Sequence, residues 1–213
     1  MSRSTAPANP PVAVPAISPD DAPLRADAAR NRERILEAAE QVFRERGADA
    51  SLEEIAKRAK VGIGTLYRRF PTREALLAAN SDDRLLALVR DSEARGDTVS
   101  PGEAVRGFVS ALVAHTTHYR GLAASLGAVL QSGTAGCHAS RAEGERLLAA
   151  AQQAHAVRAD VSMDDLVCMV MAISLAVEQD ASAAPRIDHR VSLFLEGICP
   201  RYTTSEMACA STP

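Results

Sequence analysis

The sequence predicts an all-α protein: an N-terminal three-helix domain built on a helix-turn-helix, followed by a larger C-terminal helical domain. Three observations predict it. Apolar residues recur at spacings of three and four from residue 35 to residue 198, and no run alternates as a half-buried strand would. Hydrophobic residues make up 46% of the chain, yet aromatics are only 3%, with no Trp and much Ala. That mixture suits close-packed helices better than a β-sandwich rich in Val, Ile, Thr and aromatics. Finally, cap and stop signals fall between successive periodic runs.

Residues 1–24 hold six of the eleven prolines among Ala, Ser and Val. Such a segment cannot bury enough surface to offset its ordering entropy, so a disordered arm is expected. The first helix is expected over about 29–46, with Ile35, Leu36, Ala39, Val42 and Phe43 on one face and Gly47 as its stop. The second opens at Ser51, with Glu54 three positions on as a capping box, and buries Leu52, Ile55, Ala56 and Ala59. After a turn through Lys60, Val61 and Gly62, a third helix runs over about 63–69 and Pro71 ends it. These elements form a domain of residues 25–72.

The second domain, residues 73–198, begins with a long helix of about 73–94, capped by Thr72. Ser100-Pro101-Gly102-Glu103 starts the next, about 101–118, which buries Val105, Phe108, Val109, Leu112 and Val113. A short helix near 121–131, a loop over 132–138 and a helix over about 139–156 follow. The helix of about 163–180 is apolar nearly all round, so it needs cover on every side. The last helix, about 187–198, carries one apolar stripe. Covered by a second copy, these two helices would form a four-helix dimer interface through Val170, Ile173, Val177, Val191 and Phe194; burial within a monomer is the other reading. Residues 199–213 are expected to be a disordered tail.

The net charge of −3 conceals an asymmetry. Residues 25–73 carry 12 Lys/Arg against 8 Asp/Glu, whereas residues 74–213 carry 11 against 17. A basic module on an acidic one fits a nucleic-acid reader attached to a separate body. The four cysteines, Cys137, Cys168, Cys199 and Cys209, form no CxxC pair and suggest free thiols in a reducing cytoplasm. No signal peptide is evident and no apolar run approaches the ~18 residues of a membrane span, so a soluble cytoplasmic chain without membrane contact is expected. His115 and His118 have a spacing that can bind a metal, but no Cys or carboxylate completes a set, and neither a metal nor a cofactor is expected. With no GxSxG, HExxH, Walker loop or GxGxxG, an enzyme is not expected.

The chemistry concentrates at residues 51–73. In a helix-turn-helix the second helix can lie in the major groove. Thr65 and Arg68, three apart, project from one face; Arg can pair bidentately with guanine, and the Thr methyl can meet thymine. Tyr67 can reach a phosphate, as can Arg32, Lys60 and Arg73. Ser51 sits at a helix N-terminus that favours phosphate, and Gly62 and Gly64 let backbone approach backbone or DNA.

The stretches NRERILEAAEQVFRERG, SLEEIAKRAKVGIGTLYRRF and PTREALL, within residues 31–77, resemble the DNA-binding domain of the TetR family of bacterial transcriptional regulators. The resemblance implies a helical ligand and dimer domain, a homodimer on a double-stranded DNA operator, and DNA contacts from Arg32, Ser51, Thr65, Tyr67 and Arg73. Gly62 stands where many members have Ser, and Arg73 where many have Lys. Residues 119–197 resemble one subgroup's C-terminal domain more weakly. The expected function is a ligand-responsive repressor released by a small apolar molecule. Candidate pocket residues are Phe108, Leu112, His115, Tyr119, Leu126 and Met169. The alternative is a DNA-binding regulator whose C-terminal domain binds a protein partner instead.

Overall fold

Helix α1, Asp21–Arg46, begins well before residue 29, where apolar periodicity starts. Pro23 falls in its first turn, where no backbone N–H is needed, and the next eleven residues contain neither Gly nor Pro. Apolar spacing marks only the part of a helix that meets a core, so it missed this start. The computed structural model describes residues 21–179 and 186–199. Most of the two segments expected to be disordered therefore lies outside the described residues, although 21–24 are helical.

Helix α2 is Leu52–Arg58, α3 is Ile63–Arg69 and α4 is Arg73–Arg95. Ser51 caps α2, its hydroxyl accepting from the Glu53 and Glu54 amides at 3.2 and 3.4 Å. Glu53, not the expected Glu54, closes back on Ser51; Glu54 turns instead to Arg58 at 3.3 Å. Arg58 also grips Glu45 of α1 through two bonds of 2.7 and 2.9 Å, tying α2 to α1. Between α2 and α3 the chain turns at Lys60, which adopts a left-handed φ of 55°, while the Val61 amide reaches back to the Ala56 carbonyl at 3.0 Å.

A 3₁₀ turn at Gly96–Thr98 leads into α5, Pro101–Thr116, which opens with the complete Ser100/Glu103 capping box. Then follow α6 (Leu122–Leu130), α7 (Ala135–Gln153), α8 (Met163–Gln179) and α9 (Ile187–Ile198). No strand occurs among the described residues. Helix α7 starts at Ala135 rather than near 139, because Thr134 caps it through the Cys137 amide. It crosses α4 so closely that a Cβ on Gly136 would stand 2.6 Å from the Asp82 carbonyl oxygen. Helix α5 packs against α4, α7, α8 and α9, and α6 against α4 and α8.

One continuous core runs from Ile35 and Leu66 through Leu85, Phe108 and Leu126 to Val170 and Val191. Helix α8 divides into two faces. Leu166, Met169, Val170 and Ile173 are buried, while Cys168, Ala172, Leu175 and Ala176 face solvent. On α9, Val191 and Leu195 are buried, but Leu193 is 57% exposed and Phe194 38%. This corrects the interface expected from sequence. Val170, Ile173 and Val191 are covered by their own chain, because the inward face of α8 seats on α5 and α6 and that of α9 on α5 and α8. Val177 is half-buried, and only Phe194 of the five is exposed.

Candidate nucleic-acid interface

Leu66, fully buried, and Phe70 at the end of α3 hold this seven-residue helix to the core. Everything else on it is directed by that anchor. Gly64, Tyr67, Arg68 and Arg69 are exposed, and Thr65 is half-buried. Arg68 Nη2 donates to Thr65 Oγ1 at 3.1 Å, so the two side chains expected to read bases are held together. Beside them lies an open groove of about 350 Å³ between α1 and α3, lined by Asn31, Arg32, Thr65, Arg68 and Arg69, with Asp27 at its edge. The structure thus brings Arg32 to the same face as Thr65 and Arg68. It adds Asn31 and Arg69, which sequence spacing could not place because they depend on how α1 crosses α3.

The remaining expected residues are placed differently. Lys60 is exposed at the turn. Gly62 begins α3 with an ordinary extended φ of −68°, and a Cβ there would meet nothing closer than Thr65 Oγ1 at 4.0 Å. A Cβ on Gly64 would meet nothing within 4 Å. Neither glycine is needed for backbone to approach backbone, so the space they leave is open to an outside molecule. Ser51 uses its hydroxyl as a cap and also donates to Glu53, whose carboxyl is held below its usual range chiefly by that bond. Arg73 is half-buried; its Nη1 donates to the Ala48 carbonyl at 3.0 Å and to that of Ala50, fastening the turn before α2.

A polar cluster that sequence spacing did not reveal joins this head, α1–α3, to the body. Glu40 of α1 accepts from the Tyr119 hydroxyl, from Asn80 at 2.8 Å and from Arg84 at 3.2 Å, and its other oxygen lies 3.3 Å from His118 Nε2. Arg84 lies over the Tyr119 ring, 4.9 Å from its centroid. Burial alone would raise the Glu40 carboxyl. The Tyr119, His118 and Arg84 contacts outweigh it and hold the group at about 2. Tyr119 is 1% exposed, and burial followed by its bond to Glu40 pushes the hydroxyl up to about 12. Its expected place in a ligand pocket is therefore corrected: its polar tip is already bonded to the joint.

Phe108, Leu112 and Leu126 are also filled core positions. His115 is 7% exposed, its Nε2 has no hydrogen-bond partner, and burial holds the ring down at about 4. Met169 lines a groove of about 520 Å³ between α8 and α9, with Cys168, Ala172, Phe194, Ile198 and the charged Arg158, Asp160 and Asp165. Among the described residues no three His, Cys, Asp or Glu side chains group as a metal site, and no helix is long and apolar enough to cross a membrane.

Residues 35–79 match the family described as bacterial regulatory proteins, tetR family, and residues 100–200 match the C-terminal domain of SbtR-like transcriptional regulators. A helix-turn-helix-type transcriptional regulator of Staphylococcus aureus is 44% identical over 54 residues, 25% of this chain and 29% of that protein. The chain thus spans under a third of the length of the curated relatives it matches. A TetR transcriptional regulator from Streptomyces coelicolor is 34% identical, with 80% of this chain and 99% of that one covered, at a TM-score of 0.48. The regulator FadR from Bacillus subtilis, solved in complex with stearoyl-CoA, is 17% identical; 78% of this chain and 98% of that one are covered, at a TM-score of 0.55.

Proposed function

Because the chain belongs to the TetR family of transcriptional regulators, we propose that it is a cytoplasmic, ligand-responsive repressor that binds a pseudo-palindromic operator as a homodimer. The carrying observation is α3, whose one buried side chain, Leu66, turns Thr65, Tyr67 and Arg68 outward. Arg68 reads guanine, the Thr65 methyl meets thymine, and Tyr67, Lys60 and Arg32 hold phosphates. A homodimer places two such helices on half-sites about one helical turn apart, ~34–36 Å. Leu175, Leu193 and Phe194, exposed on α8 and α9, are the apolar surface suited to the second copy. Leu193→Asp should give a monomer by light scattering, and an intact dimer would put the interface elsewhere.

The effector is a small, largely apolar molecule whose entry among α5, α6 and α8 parts the side chains of Phe108, Leu112 and Leu126, which fill that space here. His115 Nε2, one turn from Leu112 and buried without a partner, gives it one polar contact. The stearoyl-CoA complex of the Bacillus subtilis regulator supports a small-molecule response. Release requires the ligand to bind the non-binding state more tightly, shifting the population toward it. The second reading, a protein partner in place of the ligand, draws on the same exposed residues of α8 and α9.

The test is capture of genomic DNA fragments by the purified protein, read by sequencing. A short palindromic motif beside a few promoters is expected. A soluble, folded dimer that enriches no motif would overturn the operator reading.

A further inference from the structure

Residues His118, Tyr119, Arg120 and Gly121 form the turn between α5 and α6, and each is bonded to another part of the chain. The His118 ring and the Tyr119 hydroxyl both engage the Glu40 carboxylate of α1. The Arg120 carbonyl accepts from the Ala48 amide at 2.8 Å, in the turn between α1 and α2. The Gly121 amide donates to Glu178 Oε1 at 3.0 Å, near the end of α8. Three consecutive residues therefore hold the head, and the fourth holds the helix that carries the exposed apolar face.

These bonds leave little slack. Gly47 has a φ of 94°, and a Cβ there would stand 2.7 Å from the Arg120 carbonyl oxygen, so the two turns touch backbone to backbone. Glu40 gathers Asn80 and Arg84 of α4 as well, in charge-assisted bonds shorter and stronger than neutral ones. Tyr119 also packs its ring 5.7 Å from that of Phe43, inside the core shared by head and body.

We propose that residues 118–121 are a coupler: they set the angle of the DNA-reading head to the body and relay a displacement of α8, felt at Glu178, to α1 and the turn after it. Coupling of this kind needs an element whose arrangement both sites bias, and this turn contacts both. The inference rests on the operator reading proposed above. Glu40, Tyr119 and Glu178 are positioning residues in it, since none lies on the outward face of α3.

The experiment selects full-length protein against a DNA library in which two half-sites are separated by spacers of varying length. The wild type is expected to prefer one spacing. Tyr119→Phe, which keeps the ring and removes the hydroxyl, and Glu178→Ala should keep the half-site sequence but accept neighbouring spacings. The preference should flatten by about tenfold, the scale of one charge-assisted hydrogen bond. Glu178→Gln, which retains the accepting oxygen, should keep the wild-type profile. A general loss of stability would weaken binding at every spacing alike, whereas a loosened joint changes the profile. A Glu178→Ala spacing profile that matches the wild type would overturn the coupler, whatever Tyr119→Phe shows. A wild type that selects no half-site would instead remove the operator reading, and the coupler with it. Glu178 is half-buried at the edge of the body, so its variant decides the question even if Tyr119→Phe fails to fold.

Discussion

Helices α3 and α8 each leave a face uncovered, and the two faces are opposite in kind. On α3 it carries Tyr67, Arg68 and Arg69; on α8 it carries Cys168, Ala172 and Leu175. Charged side chains rest stably in water until a polyanion displaces it, whereas uncovered Leu and Phe gain only when another apolar surface removes the water. Anchorage differs as well. Helix α3 has seven residues and one buried side chain, while α8 has seventeen and six. Helix α3, the one proposed to read DNA, has fewer buried anchors, and exposure acquires meaning only with the chemistry of what is exposed.

The largest expected effect tests that anchorage. Leu66→Ala should destabilise the protein by about 2–5 kcal/mol, as for other fully buried leucines, seen as a lower denaturant midpoint. An unchanged midpoint would show that α3 is held by something other than its inward side chain. The next concerns the body, where polar atoms are hidden rather than presented. His115 is neutral when folded, with its value lowered from 6.5 to about 4. The unfolded chain therefore binds a proton at higher pH, so stability is full above about 6.5 and falls as pH drops toward 4. The loss is on the order of 3 kcal/mol. His115→Phe should remove that slope, measured by unfolding at pH 7 and pH 4; a retained slope would assign it to other groups. Glu40 acts at lower pH, since its folded value of about 2 lies below its ordinary 4.5.

A smaller effect separates reading from holding. Arg68→Ala should relax preference at one base pair by about 1–3 kcal/mol while leaving stability unchanged. Equal weakening on every sequence would make Arg68 a phosphate contact. The smallest sets fold against function at one residue. Lys60 occupies a left-handed conformation that costs a side-chain-bearing residue ~1 kcal/mol, so Lys60→Gly should raise Tm slightly while weakening operator binding at low salt. A Tm that falls would show that the Lys60 side chain holds the turn.

The bounds of α2 and α3 were legible because their signals are local, whereas the start of α1 carries no such signal. Ser51, Gly62, Pro71 and Thr72 punctuate short elements, and α2, α3 and the start of α4 lie where they indicate. The body's helices were legible too, but not which of their faces point inward. Val170 read as interface because an apolar helix looks alike on every side, and Val191 because a single apolar stripe does not say what covers it; only the packing of α8 on α5 and α6, and of α9 on α5 and α8, shows which sides are covered. The joint was illegible for the same reason. Asn80 and Arg84 share one face of α4, but Glu40 lies 40 residues before Asn80 and Tyr119 39 after it, and no spacing rule connects the three segments. Tyr119 read as pocket because helical spacing was carried past Thr116, where α5 ends, into the turn that aims its ring at α1.

Gly47 leaves a consequence for the history of this chain. With a positive φ and a carbonyl oxygen where its Cβ would stand, the position admits no substitution that preserves the contact beneath it. Gly62 and Gly64 have room for a methyl group. Lineages descended from this sequence could drift at 62 and 64 as their operators change, while 47 stays frozen whatever DNA is read. The three glycines, alike in the sequence, would record two separate selections: one for what binds outside α3 and one for the backbone contact with Arg120.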